Sequence, residues 1–174
     1  MPHLFEPLKI RDVTFKNRIG VSPMCQYSYQ NGFSNDWQVV HLGARAMGGV
    51  GFVIVEATAV EARGRISPHD LGIWTDDHIE PMRRVTDFLK TQDVISGIQI
   101  AHAGRKACTN RPWDGGNPIQ AGDPNYWPVV GASAIAFHEN YQTPNELTNH
   151  EIHDIQKKFE QAALRSLDAG FDFV

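Results

Sequence analysis

The order of apolar residues along the chain predicts four short strands. They lie in RIGVSPM, GFVIVEATAV, VISGIQIAH and FDFV, after an extended lead-in. The second strand is continuously apolar from Phe52 to Val55 rather than alternating. Strands of that kind are covered on both faces, as they are in a parallel sheet.

Between these strands, apolar residues recur at intervals of three and four, which predicts helices. The segment NDWQVVHLGARAMGGV is capped by Asn35 or Asp36 and stopped by Gly48-Gly49; its apolar positions are Trp37, Val40, Ala44 and Met47. The segment TDDHIEPMRRVTDFLKTQ places on one face Ile79, Met82, Val85, Phe88 and Leu89.

The last predicted helix lies in TNHEIHDIQKKFEQAALRSLDAG and has the clearest boundaries. Thr148 and Glu151 have the spacing of a capping box, and Gly170 ends the helix. The helix is predicted to bury a stripe made of Ile152, Ile155, Phe159, Ala163 and Leu167.

Strands and helices therefore alternate, which predicts an α/β fold with a parallel sheet and helical crossovers. A (β/α)₈ TIM barrel is favoured over a doubly wound sheet because no GxGxxG motif follows the first strand. Such a barrel needs about 250 residues. Residues 1–174 are thus expected to form the N-terminal half of one barrel domain, with about four strands and three helices.

Residues 102–147 show no convincing periodicity and are rich in Gly, Pro and Asn. Long loops of this kind are functional lids or disordered inserts. Disordered inserts are poor in aromatic residues, whereas this one contains Trp113, Tyr126, Trp127 and Phe137. The segment is therefore predicted to be an active-site lid that packs on the rest of the fold.

The charge pattern excludes two classes of binding partner. The formal net charge is −4, and without a basic stripe neither nucleic acid nor an anionic membrane is an expected partner. The N-terminus has no leader pattern and no apolar run is long enough to span a bilayer, so a cytoplasmic location is expected.

Cys25 and Cys108 are too few for a disulfide framework and are interpreted as free thiols.

Reactive groups of a (β/α)₈ barrel lie at the carboxyl ends of its strands. Here these ends supply residues 22–28, then Glu56, Ala57 and Thr58, then Gln99, Ala101 and His102. Gln99 lies between Ile98 and Ile100, so it is predicted to be a buried amide that points into the barrel. Such an amide needs partners, which are either other side chains and water or a planar heterocycle with a complementary edge.

The thiol of Cys25 is either a small buried hydrophobe or a soft donor beside a cofactor, since no histidine in its motif supports a nucleophile. Tyr27 faces the same side if the strand geometry continues; its alternative is a core or interface position. His150 and His153 are interpreted as a solvated helix end rather than a metal site, and His41 as structural. His102 lies at a strand end, and its role is either to contact a ligand or to support the structure.

Four motifs resemble those of the Old Yellow Enzyme family of FMN-dependent ene-reductases. They are SPMCQYS, GGVGFVIVEATAV, GIQIAHAGRKA and GASAIAFHENYQTPNELT, in the same order and spacing. The sequence is most similar to the branch that has a cysteine at the flavin and includes the xenobiotic reductases. The resemblance implies a TIM barrel that holds FMN at the carboxyl ends of its strands, with NADPH as reductant and an activated alkene as oxidant.

The resemblance also implies roles for individual residues. The flavin would be lined by Ser22, Pro23, Met24 and Cys25, with Cys25 near N5 and O4 as a tuner of the flavin potential. Ala57 would offer its backbone to the flavin edge and Gln99 would pair with the pyrimidine portion. Tyr27 would contact the substrate. No metal is implied, and the family's His pair, arginine and phosphate-binding loops are expected beyond Val174.

The function predicted for the full-length protein is NADPH-dependent reduction of the C=C bond of α,β-unsaturated carbonyl compounds and related xenobiotics. The partner is then a small enone-type molecule, and the full-length protein is expected to be a homo-oligomer. Two alternatives remain open. One is a relative that reduces 2,4-dienoyl thioesters, and the other is a non-catalytic half-barrel that binds flavin weakly.

Overall fold

The chain begins with a hairpin where the sequence pattern predicted only an extended lead-in. In the computed structural model, which describes residues 3–174, β1 (Leu8–Ile10) and β2 (Val13–Phe15) pair antiparallel. Phe15 is buried and lies edge-on to Phe52 and Phe173, with ring centroids 5.2 and 6.3 Å away. Because Phe52 is the first residue of the longest strand, the hairpin covers the amino-terminal end of the sheet.

The sheet is parallel, as the alternation of strands and helices predicts. It contains β3 (Gly20–Val21), β4 (Phe52–Ala59), β5 (Leu71–Gly72) and β6 (Ile95–Ala101). The central strand β4 pairs with β3 and β5 along one edge and with β6 along the other. β3 is shorter than predicted, since residues 22–29 have no regular strand structure.

The fourth predicted strand, in FDFV, begins a parallel pairing with β6. Phe173 bridges Gly97, and the carboxylate of Asp172 accepts hydrogen bonds from the backbone and hydroxyl of Ser96 at 2.8 and 3.1 Å. At Gly97, a Cβ atom would lie 2.2 Å from the Phe173 ring. The glycine is therefore needed for this ring to sit over the sheet.

Three helices connect the strands as predicted. They are α1 (Asp36–Met47), α2 (Ile79–Thr91) and α3 (Asn149–Asp168). Asn35 caps α1, accepting a hydrogen bond from the backbone of Trp37 at 3.1 Å, and the Thr148–Glu151 capping box starts α3. These boundaries are local properties of the sequence, which explains why they were predictable.

The core lies between the outer face of the sheet and the helices. Val53, Val55 and Ile98 from the sheet join Met82 and Leu89 of α2 in one cluster of buried residues. The face predicted for α2 is thus confirmed. Its Phe88 and Ile79 are half-buried.

The apolar stripe of α1 is exposed in this chain, and the stripe of α3 is only partly buried. In α1, Trp37, Val40, Ala44 and Met47 are all exposed, and the buried side includes Gln38, His41 and Leu42 instead. In α3 the predicted burial of Ile152 and Leu167 is wrong: both are exposed, while Ile155, Phe159 and Ala163 are half-buried and Ala162 and Ser166 are fully buried. Within residues 3–174, no further helix packs on these stripes.

Residues 102–147 fold over the carboxyl edge of the sheet. They contain two 3-10 turns, Gly104–Lys106 and Pro112–Asp114, and a short parallel pair, β7 (Val130–Gly131) with β8 (Asn145–Glu146). A separate small core is formed by Ala107, Cys108, Ile119 and Val129, with Tyr126 and Trp127 packed against it. The segment is ordered by its own packing, although Trp113 and Phe137 remain exposed.

No helix within residues 3–174 is both long enough and apolar enough to cross a bilayer.

Candidate functional site

The strand-end residues 22–28 form an irregular segment beside the end of β4. Ser22 and Met24 are exposed, and Pro23, Cys25 and Tyr27 are half-buried. Tyr27 has a φ of 47°, a left-handed conformation that is uncommon outside glycine. The strand geometry therefore does not continue to Tyr27, contrary to the condition on which its direction was predicted.

The left-handed turn nevertheless brings the thiol and the phenol together. The side chains of Cys25 and Tyr27 lie close enough to shift each other's pKa, and the backbone of Ala57 lies beside Cys25. The sequence-predicted residues Cys25, Tyr27 and Ala57 thus meet at the carboxyl ends of β3 and β4.

Cys25 is held as a neutral thiol. Burial, followed by the negative charges of Asp70 and Glu56, raises its pKa to about 11. Burial and the neighbouring Cys25 likewise raise the pKa of Tyr27 above its ordinary value. A thiol with such a pKa is a poor nucleophile at neutral pH, so the pair is suited to contact a ligand as neutral groups.

Glu56 lies under this turn and is only 6% exposed. Its carboxylate accepts hydrogen bonds from the backbone of Gln26 and from the hydroxyl of the fully buried Tyr29, both at 2.6 Å. Burial raises the pKa of Glu56 to about 7, against the opposing effect of these hydrogen bonds. A break in the register between β4 and β6, from Val55 to Thr58, lies at this position; such bulges re-aim side chains next to active sites.

Gln99 is exposed, so the prediction of a buried amide is wrong for this chain. Its neighbour Ile98 is buried in the core between sheet and helices, and alternation along β6 places Gln99 on the opposite, inner face. That face is open because the strands within residues 3–174 form only part of a barrel wall. The amide is left accessible beside the end of β4.

His102 is used in an ion cluster. Its Nε2 lies 2.8 Å from Oε1 of Glu61. That oxygen also accepts a hydrogen bond from Arg63 Nε at 2.7 Å, and Oε2 of Glu61 accepts one from Lys158 Nζ. Burial alone would raise the pKa of Glu61, but the hydrogen bonds from His102, Lys158 and Arg63 outweigh it and hold the pKa at about 2. The cluster joins the ends of β4 and β6 to α3, so His102 is structural.

Three further histidines, interpreted from the sequence as structural or solvated, lie on helices. His150 and His153 are exposed at the start of α3, and His41 is buried in α1. Within residues 3–174, no group of three His, Cys, Asp or Glu side chains is arranged to hold a metal ion.

One part of residues 102–147 reaches the thiol–phenol pair. Trp113 lies edge-on to Tyr27 with ring centroids 5.8 Å apart. It sits in the 3-10 turn Pro112–Asp114, where Arg111 places its guanidinium 5.4 Å from the Trp113 ring centroid and bonds to Asp114 at 2.6 Å. Although it touches Tyr27, Trp113 is 61% exposed.

A second part of residues 102–147 is fixed by stacking. The Arg65 guanidinium lies 5.5 Å from the ring centroid of Trp74 and 5.0 Å from that of Trp127. Trp127 Nε1 also donates to the carbonyl of Arg63 at 3.0 Å. These contacts attach the middle of the segment to the loop that follows β4.

Sequence reasoning did not find roles for Glu56, Tyr29, Arg65 or the contact of Trp113 with Tyr27. Glu56 is a charged residue directly after the apolar run Phe52–Val55, and that break in an apolar strand was the available signal. The long-range contacts of Arg65 and Trp113 have no comparable signal, because they depend on how loops fold back.

The geometry defines a class of site: an edge of a parallel barrel wall where neutral side chains, a backbone group and an exposed amide lie together. The sequence profile of the NADH:flavin oxidoreductase / NADH oxidase family matches residues 3–174. The chain belongs to this family. The resemblance to the Old Yellow Enzyme family and the prediction of FMN as cofactor are thereby confirmed.

Individual relatives agree with this assignment. The chain is 42% identical over 174 residues to the NADH:flavin oxidoreductase FG08077 of Gibberella zeae, covering 98% of this chain and 42% of the relative. It is 44% identical over 173 residues to an NADPH dehydrogenase of Bacillus cytotoxicus, covering 98% and 45%. The chain thus spans a little under half the length of these curated relatives.

Solved structures show the same fold. Morphinone reductase superposes with a TM-score of 0.82 at 25% identity, covering 98% of this chain and 46% of that one. The old yellow enzyme homologue from Zymomonas mobilis gives 0.79 at 25% identity, covering 98% and 47%. These similarities confirm the predicted fold class, a TIM barrel of which this chain carries half.

Proposed function

We propose that the full-length protein is an FMN-dependent NADPH oxidoreductase that reduces the C=C bond of α,β-unsaturated carbonyl compounds. The observation that carries the proposal is the meeting of Cys25, Tyr27 and Ala57 at one edge, next to the inner face that exposes Gln99. The similarity to NADPH dehydrogenases of several bacteria supports NADPH as the reductant.

The residues present fit a flavin ring. Gln99 has an accessible amide with one donor group and one acceptor, which matches a uracil-like edge, and the backbone of Ala57 lies beside Cys25 at the adjoining edge. We assign the ring contacts to Ser22, Pro23, Met24, Cys25, Ala57 and Gln99. When bound, FMN supplies the two-electron chemistry that moves a hydride from NADPH to an activated alkene.

The protein's own contribution in this half is positioning. Cys25 remains a neutral thiol and so adds a weak hydrogen-bonding partner to the ring without adding a charge. Tyr27, a neutral phenol beside it, orients the substrate. On this basis we propose that the protein belongs to the branch with a cysteine at the flavin, whose members include the xenobiotic reductases.

Residues 102–147 act as the lid of this site. The support is the contact between Trp113 and Tyr27, together with the small core that orders the segment. An exposed indole next to the substrate-side phenol provides a flat apolar surface for a ligand. We further propose a cytoplasmic homo-oligomer.

Purification of the full-length protein tests the proposal. The expected result is a yellow protein that releases FMN on denaturation and oxidises NADPH in the presence of 2-cyclohexenone. Gln99→Ala should weaken FMN binding at least tenfold by titration of the flavin-free protein, whereas the surface variant Gln156→Ala should not change it. A full-length protein that binds no FMN, or FMN binding unaffected by Gln99→Ala, would contradict the proposed site.

A further inference from the structure

A buried carboxylate lies directly beneath the turn that carries Cys25 and Tyr27. Glu56 accepts hydrogen bonds from the backbone of Gln26 and from the hydroxyl of Tyr29, both at 2.6 Å, and the backbone of Tyr27 lies beside it. The carboxylate therefore satisfies a backbone donor of a segment that is neither strand nor helix.

The groups around Glu56 offer no cation. The titratable side chains that face it are Tyr29, Asp70, Cys25 and Tyr27, and each is neutral or acidic. Burial of a carboxylate away from a cation costs several kcal/mol in stability. A stability role alone does not account for an acid at this position, because an apolar residue of similar size avoids that cost.

The turn itself needs an anchor. A left-handed conformation at a non-glycine residue such as Tyr27, with a φ of 47°, costs roughly 1–2 kcal/mol unless the surroundings enforce it. The hydrogen bond from the backbone of Gln26 to Glu56 holds the residue directly before this conformation. Tyr29, fully buried, fixes the carboxylate from below.

We propose that Glu56 is the positioning residue for the Cys25–Tyr27 pair: its carboxylate anchors the left-handed turn and so sets the thiol and the phenol at the edge of the site. The proposal rests on the proposed function only in the sense that this pair faces the flavin and its substrate. The anchoring itself requires neither.

The chain offers a matched control on the same side of the sheet. Glu61 is a second buried carboxylate, five residues further along, with 7% exposure against 6% for Glu56. It bonds to His102, Arg63 and Lys158 and makes no contact with residues 25–29. Glu61→Gln therefore removes a buried charge without touching the turn.

The first experiment measures alkylation of Cys25 by iodoacetamide in the flavin-free full-length protein, followed by peptide mass spectrometry. Glu56→Ala should accelerate it at least tenfold at pH 8, because the turn loses its anchor and the thiol loses a neighbouring negative charge. Glu56→Gln retains an acceptor for Gln26 and should stay within about threefold of the parent. Glu61→Gln should stay within twofold, and the fully buried Cys108 serves as the internal reference.

The second experiment uses the FMN-loaded enzyme. Glu56→Ala should raise the KM for 2-cyclohexenone at least fivefold with unchanged flavin content, and Glu56→Gln should restore it. If Glu56→Ala does not fold, Tyr29→Phe replaces it in both measurements. That variant removes the bond that orients the carboxylate, and a two- to tenfold faster alkylation is expected.

Equal alkylation rates in the parent, Glu56→Ala and Glu61→Gln would overturn the proposal, as would an unchanged rate in Tyr29→Phe where that variant is used. A full-length protein that binds no FMN but shows the expected alkylation pattern would overturn the proposed function and leave the positioning role standing. The two failures are thereby distinguishable.

Discussion

Two carboxylates at the end of one strand illustrate how partners decide what a buried acid does. Glu61 is surrounded by His102, Arg63 and Lys158, and its pKa falls to about 2. Glu56 has only hydroxyl and backbone donors, and burial raises its pKa to about 7. Glu61 is a charged group that links neighbouring elements through ion pairs, whereas Glu56 changes its protonation close to neutral pH.

Because of the titration of Glu56, the free energy of unfolding is expected to decrease as the pH rises. An ordinary glutamate in the unfolded chain titrates near 4.5, whereas Glu56 titrates near 7 in the folded protein; between these values the folded state binds more protons, so its advantage is lost with increasing pH. The full difference corresponds to roughly 3 kcal/mol. Glu56→Gln should remove this dependence, measured as the parent-minus-variant difference in unfolding free energy from pH 5 to 8.

Glu61→Gln is the control, because the pKa of Glu61 is shifted in the opposite direction from that of Glu56. The stabilisation from Glu61 is present above about pH 4.5 and is lost as pH falls toward 2, because its folded-state pKa is depressed. A parent protein and a Glu56→Gln variant with parallel stability profiles between pH 5 and 8 would show that Glu56 does not titrate in this range.

Trp113 is expected to affect the substrate more than the cofactor. Its ring meets Tyr27 but is otherwise exposed, so Trp113→Ala should change folding stability by less than about 1 kcal/mol. We expect a three- to tenfold increase in the KM for a bulky cyclic enone and unchanged FMN affinity in steady-state kinetics and flavin titration. Phe137→Ala, at another exposed lid aromatic, is the control; equal effects of the two variants would argue against a substrate contact by Trp113.

Individual site residues could be predicted from the sequence where they lie at the end of a predicted strand. Cys25, Tyr27 and Ala57 were expected at one edge, and the structure brings them together. Their joint orientation was predicted for the wrong reason, since a left-handed turn rather than strand alternation produces it. The burial of Gln99 was wrong because burial depends on the strands that surround it, which one strand's sequence does not describe.

Helices were predictable because their signals are local. The caps of α1 and α3 lie within a few residues of the first turn, and the structure places both where the sequence indicates. The hairpin of β1 and β2 was missed because each strand has only three residues, too few to show a period. Which stripe of a helix is buried also depends on its neighbours, as α1 shows.

The unpartnered stripes of α1 and α3 should make the 174-residue segment self-associate when it is produced alone. Val40, on the exposed stripe of α1 with Trp37 and Met47, is 63% exposed, and Leu167 on α3 is 58% exposed; exposed apolar patches favour association. Size-exclusion chromatography with light scattering should show dimers or larger species. Val40→Glu with Leu167→Glu should shift them toward monomer, whereas Lys157→Glu should not; a monomeric parent segment would contradict the expectation.

Gly97 in β6 is expected to tolerate no larger residue. A Cβ atom there lies 2.2 Å from the Phe173 ring, which itself contacts Phe15. Gly97→Val should destabilise the full-length protein by about 1–3 kcal/mol, measured by urea unfolding. Phe173→Ala in the same background should recover part of the loss, because it removes the overlapping ring; additive losses would indicate another cause.

The molecule as a whole is part of a barrel wall with residues 102–147 folded over its carboxyl edge. The alternation of strands and helices predicted the parallel sheet and its crossovers, since periodicity reports on regular elements. It could not describe residues 102–147, whose order comes from a small core and from stacking on the loop after β4. The regular elements were therefore predictable, whereas the long segment that packs on them was not.

The stacking of Arg65 between Trp74 and Trp127 makes one side chain responsible for much of the attachment of residues 102–147. Lifting this segment as one body would break both stacks and the bond from Trp127 to Arg63. The turn around Trp113 is attached separately, through the bonds of Thr109 to Ile66 and the contact of Trp113 with Tyr27. Substitution of Arg65 is therefore expected to loosen the middle of the segment, whereas substitution of Trp113 is expected to act only at the contact with Tyr27.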